Sequence, residues 1–281
     1  MRDSILTSTK NPTIKHIRKL KRSRERKKQN LLLLEGNNLL VSALNSDLSL
    51  VTVFCTPKWR ERHPQLISEL NRGSQEIQLV SPEVLASLAT TVNPDGVIAI
   101  ARRNLANKDF GSENLTQKLG SGSSKEQIQL GLAVEMLQDP GNLGTIIRTA
   151  VATDVDRLWL SQDSVDPDHP KVLRASVGEW FRLPMTITPS LRDVVKQQKQ
   201  QGTQVIATVP QSDLTYWQLD LTLPSLLLIG NEGAGLSSEL MALADNKVSI
   251  PLANQVESLN AAIATALVLY EAQRQYEAKA E

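Results

Sequence analysis

The chain of 281 residues carries 31 Lys and Arg against 30 Asp and Glu, and 41% of its residues are hydrophobic, which is typical of a globular protein. Because a single domain usually has about 100–150 residues, this length predicts two domains. One cysteine (Cys55) excludes an internal disulfide, the three histidines lack zinc-binding spacing and no apolar run reaches the roughly 18 residues of a membrane helix, so we expect a cytoplasmic protein without a metal.

Basic residues are concentrated at the beginning of the chain. Residues 1–104 carry 17 Lys and Arg against 9 Asp and Glu, whereas residues 105–281 carry 14 against 21. The segment 15–28 alone has nine basic residues and one acid, and Pro12 followed by apolar residues at helical spacing predicts a helix there. Such a run is either a solvated helix face or a contact for a phosphate backbone, and the charge asymmetry favours the second. The candidate RNA-binding residues are Lys15, Arg18, Lys19, Lys21, Arg22 and Arg24.

The rest of the first 104 residues alternates between strand and helix patterns. The predicted elements are an apolar run over 31–34, a helix over 39–44, a strand over 50–55, a helix over 64–70, a strand over 77–80, a helix over 82–89 and a strand over 96–101. This alternation indicates a compact α/β unit. Residues 105–128 then lose periodicity and are rich in Gly, Ser and Asn, which is typical of a flexible linker. The predicted domains are therefore 1–104 and 129–281.

The second half again alternates between strands and helices. Predicted strands cover 130–137, 157–160, 183–187, 204–208, 225–229 and 247–250, and predicted helices cover 144–153, 171–177, 190–201, 237–244 and 258–275. The strands are nearly continuous apolar runs, which favours a mostly parallel sheet covered on both faces.

The first polar segment of this half begins at Pro140, between a predicted strand and a predicted helix. Gly141 and Gly144 permit close backbone approach, and the free N–H groups of a helix start can hold an anion, although a simple connection would look the same. Arg148 stands out in an otherwise small or apolar stretch. It is either a surface residue or a ligand for an RNA phosphate.

The second polar segment, Gly230-Asn231-Glu232-Gly233-Ala234-Gly235, follows an apolar strand at its carboxyl end, where α/β proteins form ligand sites. Its glycine spacing differs from the dinucleotide fingerprint, and Leu236 follows where a phosphate loop would have Lys, so neither nucleotide motif fits. A glutamate in so glycine-rich a turn indicates a functional role for Glu232.

The third polar segment runs from Pro251 at a strand end to Glu257-Ser258-Leu259-Asn260 at a helix start. Ser258 or Asn260, taken alone, could simply cap that helix.

Together, in this order and spacing, the three segments closely resemble the SpoU-type (TrmH-like) RNA ribose 2′-O-methyltransferases of the SPOUT superfamily. The stretch 170–184 resembles the family segment between the first two motifs, whereas the acidic stretch 163–168 departs from it. Asn11–Lys15 and Leu34–Gly36 resemble the small substrate-binding domain of such enzymes, whose fold is shared with RNA-binding ribosomal proteins. The expected fold is therefore α/β, with a smaller N-terminal RNA-binding domain and a C-terminal domain containing a deep trefoil knot.

The resemblance also implies a cofactor and a site. S-adenosylmethionine would be held by main-chain groups near Gly230, Ile250 and Leu259. Arg148 would be the catalytic residue, and the family pattern adds Asn142, Glu232, Ser258 and Asn260. A guanidinium is a poor base, so our hypothesis is that Arg148 clamps the neighbouring phosphate and the 2′-oxygen. In this hypothesis Glu232, Ser258 and Asn260 orient Arg148 and the nucleotide.

The resemblance implies methylation of a ribose 2′-hydroxyl, most often in large-subunit ribosomal RNA, by a homodimer. Three alternatives remain open at this point. The chain could be a non-catalytic RNA-binding or ribosome-assembly factor, a ribose methyltransferase acting on tRNA, or a base methyltransferase of the same superfamily.

Overall fold

The computed structural model describes residues 2–46, 48–73, 75–103 and 128–280. Packing divides the chain into two units. The first unit contains residues 1–104 and Asp166–Phe181, and the second contains residues 105–165 and 182–281.

The described strands are β1 Arg2–Leu6, β2 Leu31–Glu35, β3 Leu50–Cys55, β4 Glu76–Val80, β5 Val97–Arg102, β6 Leu130–Val134, β7 Arg157–Ser161, β8 Met185–Thr188, β9 Gln204–Thr208, β10 Ser225–Ile229 and β11 Asn246–Val248. The described α-helices are α1 Pro12–Arg18, α2 Ser23–Gln29, α3 Asn37–Leu44, α4 Pro57–Arg62, α5 Pro64–Arg72, α6 Pro82–Leu88, α7 Pro140–Ala152, α8 Pro170–Ala175, α9 Leu191–Gln200, α10 Ser238–Leu243 and α11 Ala261–Ala280. None of the helices so described combines the length and apolar character needed to cross a bilayer.

The first unit is built on a mixed five-stranded sheet with the order β1-β4-β3-β5-β2. β1 and β3 both pair with β4 in parallel, whereas β5 pairs with β3 and β2 in antiparallel fashion. Buried side chains of α1 and α6, among them Ile14 and Leu88, pack against Phe54 and Ile98 of the sheet. The α/β character predicted for this part of the chain is confirmed.

The basic segment forms two helices. α1 ends at Arg18, a 3₁₀ turn covers Lys19–Lys21, and Arg22 is extended (φ −97°, ψ 131°) before α2 begins. The three apolar residues that predicted the helix are buried: Ile14, Ile17 and Leu20.

The second unit is built on a six-stranded sheet with the order β11-β9-β10-β6-β7-β8, and every pairing in it is parallel. All five residues of β6 and all five of β10 are buried. Since successive side chains of a strand point to opposite faces, both faces of the sheet are covered there, as predicted. β6 and β10 are neighbours in register, with Val134 opposite Ile229, so the segments that follow them leave the same edge of the sheet.

The segment Asp166–Phe181, which includes α8, packs with the first unit. The predicted division kept residues 129–281 together. Three ion pairs join this segment to the rest of the first unit: Arg26 with Asp166 (2.6 Å), Arg103 with Asp168, and Arg174 with Glu35 (3.0 Å). The predicted linker, 105–128, lies outside the described residues except for its last one.

Candidate active site

The carboxylate of Glu232 joins the turn after β10 to the start of α7. Its oxygens accept hydrogen bonds from the main-chain N–H groups of Gln138 (3.1 Å) and Asp139 (3.0 Å) and from the side-chain amide of Asn142 (3.0 Å). Asp139 in turn caps α7 by accepting from the N–H of Asn142 (2.8 Å). Glu232 therefore fixes the connection between β6 and α7 to the glycine-rich turn.

Asn142 extends this arrangement to the third segment. Its side-chain oxygen accepts from the amide of Asn260 (2.8 Å). The oxygen of Asn260 caps α11 by accepting from the N–H groups of Ala262 (2.9 Å) and Ile263 (3.3 Å). Asn260 thus caps the helix and also contacts a site residue, and one hydrogen-bonded chain Glu232–Asn142–Asn260 connects the three polar segments.

Hydrogen bonding keeps the Glu232 carboxylate ionised. Its partial burial would raise its pKa, but the hydrogen bonds donated by Asp139, Asn142 and Gln138 together hold the pKa below the ordinary value.

The turn of residues 230–236, which we call the glycine turn, is closed on itself. The side-chain oxygen of Asn231 accepts from the N–H groups of Gly233 and Ala234 (both 2.9 Å), and Asn231 and Gly235 exchange two main-chain hydrogen bonds of 3.0 Å. A Cβ on Gly230 would lie 2.2 Å from the carbonyl carbon of Gly235, so only glycine fits there. Gly235 has a φ of +70° and open space where a side chain would lie, and residues 232–235 are exposed.

In the third segment, Ser249 is bonded on both sides to the loop after β9, through Leu214 (3.0 Å) and Tyr216 (3.2 Å). Ile250 and Leu259 are half-buried and Ser258 is exposed. Within the described ranges, the Ser258 hydroxyl has no hydrogen-bond partner, so the structure does not join it to the other candidate residues.

Arg148 is exposed on α7, six residues after Asn142, which corresponds to about 9 Å along the helix axis. Among the residues that the structure describes, its guanidinium has no hydrogen-bond or ion-pair partner. The sequence hypothesis had Glu232, Ser258 and Asn260 orient Arg148, and no such contact is formed here.

The candidate RNA-binding residues differ in their surroundings. Four of them are exposed: Lys15, Lys19, Arg22 and Arg24. Arg18 and Lys21 are half-buried and donate to the carbonyl oxygens of Thr9 and Ala89. Burial lowers the pKa of Lys21, partly offset by Glu35.

Arg26 in the same basic segment is fully buried. It donates to the carbonyl oxygens of Leu20 (3.0 Å) and Lys21 (3.2 Å) and pairs with Asp166. One member of the basic run is thus a core residue, whose partner lies in the acidic stretch that departs from the family pattern.

Sequence reasoning also missed Met136, which connects three strand ends. It adopts a left-handed conformation (φ +51°). Its N–H donates to the hydroxyl of Ser161, the last residue of β7 (2.8 Å), and its carbonyl accepts from the side chain of Asn231 (2.8 Å). The sequence does not predict a role for Met136 or Ser161. Methionine is rare in the left-handed conformation, and Ser161 ends an ordinary strand.

Two family profiles match the chain. The profile described as the SpoU rRNA Methylase family matches residues 129–270, and the MRM3-like substrate binding domain matches residues 11–99. An uncharacterized tRNA/rRNA methyltransferase of Synechocystis is 45% identical over 96% of this chain and 93% of its own length. The 23S rRNA (guanosine(2553)-2′-O)-methyltransferase of Bacillus subtilis is 30% identical over 94% of this chain and 97% of its own length.

One similar solved structure contains a bound cofactor. The SpoU methyltransferase AviRb from Streptomyces viridochromogenes, in complex with the cofactor AdoMet (S-adenosylmethionine), superimposes with a TM-score of 0.79 at 28% identity. The match covers 95% of this chain and 99% of that one.

Proposed function

Because the chain belongs to the SpoU rRNA methylase family, we propose that it transfers a methyl group from S-adenosylmethionine to a ribose 2′-hydroxyl of large-subunit ribosomal RNA. The hydrogen-bonded chain Glu232–Asn142–Asn260 is the observation that carries this proposal, since it unites three segments far apart in sequence into one site. The relative from Bacillus subtilis, named for a 23S rRNA nucleotide, supports ribosomal RNA over tRNA as substrate. Such a substrate also favours the cytoplasm as the site of action.

The residues present fit S-adenosylmethionine. The glycine turn is exposed at residues 232–235 with open space at Gly235, and most residues of the segment 251–258 are exposed as well. We assign cofactor binding to main-chain groups near Gly230, Ile250 and Leu259. When bound, the cofactor supplies a sulfonium-activated methyl group for in-line displacement.

The remaining catalytic work falls to side chains of this chain. The guanidinium of Arg148 is permanently charged and exposed, so it is suited to hold the RNA phosphate and the 2′-oxygen rather than to remove a proton. Asn142, Glu232 and Asn260 keep the start of α7 and the glycine turn in place, and the free hydroxyl of Ser258 is available to the nucleotide. Holding the two reactants in alignment can remove a large part of the activation barrier in such a site.

RNA binding is assigned to the basic segment of the first unit. Lys15, Lys19, Arg22 and Arg24 are exposed and meet no carboxylate among the described residues, so they can contact phosphates, while Arg18 and Lys21 contribute charge from half-buried positions. The MRM3-like substrate binding profile over residues 11–99 supports this assignment.

A homodimer is supported by an exposed apolar face on α11. Ile263 is 54% exposed, Leu267 37% and Tyr270 54%. A pocket of about 470 Å³ lies between this face and α7, lined also by Thr145 and Tyr216. Apolar surface of this kind on a helix is typical of a protein interface.

A trefoil knot in the second unit is proposed from membership of the family alone. Ser249 is bonded to the loop after β9, whereas Asn260 is bonded to α7, so the intervening segment passes from one to the other. Stretching the unfolded chain with optical tweezers should give a contour length shorter than that of a free chain of the same size.

The proposal is tested by 2′-O-methyl profiling of ribosomal RNA from a deletion strain. We expect one site in large-subunit RNA to lose its methyl group and to regain it when purified protein and S-adenosylmethionine are added. Loss of a tRNA methyl group, or calorimetry showing no S-adenosylmethionine binding, would instead favour the tRNA enzyme or the non-catalytic factor.

A further inference from the structure

Both ends of the glycine turn are bonded to one residue, Glu135. This residue follows β6, the neighbour of β10. Its N–H donates to the carbonyl of Ile229, immediately before the turn (2.8 Å), and its carboxylate accepts from the N–H of Ser237, immediately after the turn (2.7 Å). Glu135 therefore closes the seven-residue loop 230–236 across its base.

Other hydrogen bonds join the residues that follow Glu135 to positions inside the loop 230–236. The side chain of Asn231 donates to the carbonyl of Met136, and Glu232 accepts from the N–H groups of Gln138 and Asp139. These contacts fix the first half of the glycine turn. In the second half, the Glu135 carboxylate is the described side chain that holds the exit of the turn, at Ser237.

The bond at Ser237 is of the strong kind. The acceptor is a half-buried carboxylate and the donor is a main-chain N–H at the position before α10, where the chain is not yet helical. The hydroxyl of Ser237 performs a separate task by accepting from the N–H of Leu240 (3.3 Å) as the cap of α10. Removing the Glu135 carboxylate would leave the helix cap intact and free the exit of the turn.

We propose that Glu135 is a positioning residue for the cofactor. By holding the two ends of the glycine turn together, it sets the shape of the main chain that binds S-adenosylmethionine. This inference rests on the proposed function, because the role of the glycine turn in cofactor binding is part of that proposal.

Calorimetric titration of the full chain with S-adenosylmethionine tests the proposal. We expect Glu135→Ala to weaken binding by about tenfold to a hundredfold, since a hydrogen bond to a charged group is lost. Glu135→Gln keeps an acceptor oxygen and should recover most of the affinity. The KM for RNA at saturating cofactor should change by less than about twofold, because Glu135 acts on the cofactor turn alone. Glu239→Ala, which removes an exposed carboxylate on α10, is the matched control and should bind normally.

A second pair of variants removes the donor instead of the acceptor. Ser237 has a φ of −61°, which proline also adopts, so Ser237→Pro deletes the N–H while keeping the φ of this residue. Ser237→Ala removes the helix cap alone. We expect Ser237→Pro to bind S-adenosylmethionine about tenfold more weakly than Ser237→Ala, and this comparison decides the matter if Glu135→Ala does not fold.

The outcomes separate the two proposals. If the wild-type protein does not bind S-adenosylmethionine, the proposed function fails and this inference fails with it. If the wild type binds and Glu135→Ala binds equally well, even with a lower melting temperature, Glu135 is only a stabilising residue and this inference alone is overturned.

Discussion

Glu232 accepts three of the hydrogen bonds that join the polar segments, and the sequence singled it out because a glutamate is not expected to pack in a glycine-rich turn. Asn142 and Asn260 could be named only through the family resemblance, since each also suits a helix start. Glu135 and Met136 gave no signal, because their roles depend on β6 and β10 being neighbours, and the pairing of two parallel strands 95 residues apart is not visible in local pattern.

We expect low pH to destabilise the protein by protonating the carboxylate of Glu232. Its pKa is lowered by folding, so its stabilising contribution is present above the ordinary value of 4.5 and is lost as the pH falls through the lowered value. We expect the melting temperature of the wild type to fall more steeply below pH 4.5 than that of Glu232→Gln, measured by calorimetry from pH 3.5 to 7. Parallel curves for the two proteins would show that Glu232 carries no such linkage.

Arg148→Ala should reduce the methylation rate by about 100- to 1,000-fold, the usual cost of losing one charge-stabilising group in a reaction site. Because the guanidinium has no hydrogen-bond or ion-pair partner among the described residues, binding of S-adenosylmethionine should change by less than about threefold. Rates are measured with methyl-labelled cofactor and unmodified ribosomal RNA. Arg192→Ala, an exposed arginine in a surface ion pair, serves as the control, and substantial turnover by Arg148→Ala would refute its catalytic assignment.

At the scale of elements, strands with continuous apolar runs and helices with clear caps were predictable. β3 and β10 have the predicted bounds, and the fully parallel sheet of the second unit follows the predicted class. β1 was missed because it is a short edge strand, and α4 because its six residues give no apolar periodicity, although Thr56 caps it and Pro57 begins it. The predicted single basic helix is two helices, since Arg22 is extended.

The basic segment allows stability and RNA binding to be separated with neighbouring arginines. Arg26→Ala removes a buried ion and leaves Asp166 unpaired, which should cost about 3–5 kcal/mol of folding free energy. Arg24→Ala removes an exposed charge and should leave the melting temperature unchanged while weakening RNA binding and its salt dependence. Calorimetry and filter binding at two salt concentrations measure the two effects. The assignment would be contradicted if Arg24→Ala lowered the melting temperature and Arg26→Ala weakened only RNA binding.

Gly230→Ala should open the glycine turn. The added methyl group would lie 2.2 Å and 2.3 Å from main-chain atoms of Gly235 and Leu236, which are not free to move away. We expect a loss of about 3 kcal/mol of folding free energy, measured by denaturant unfolding. Gly233→Ala is the matched comparison, since its nearest neighbour is a side-chain oxygen at 3.7 Å. Equal stability of the two variants would show that the turn is not tightly closed.

At the scale of the whole molecule, the chain packs as two units, and the grouping of Asp166–Phe181 with the first could not be predicted from sequence. It depends on ion pairs between residues far apart, such as Arg103 with Asp168. The acidic stretch was noticed only as a departure from the family pattern. Local sequence patterns do not show which oppositely charged residues will pair when they lie so far apart in the chain.

Ile263→Asp in the apolar face of α11 should convert the proposed homodimer into a monomer, because a buried unpaired carboxylate at an interface is costly. Light scattering after size-exclusion chromatography measures the mass directly. Val92→Asp provides the control, since Val92 is 94% exposed in the first unit. A wild-type protein that elutes as a monomer, or a variant that stays dimeric, would contradict the proposed interface.

The bond between Asn142 and Asn260 joins residues 118 positions apart, and Asn260 is also the cap of α11. While the polypeptide is being translated, the start of α7 leaves the ribosome long before its partner has been made. The bond therefore cannot form on a nascent chain until the start of α11 has emerged from the ribosome.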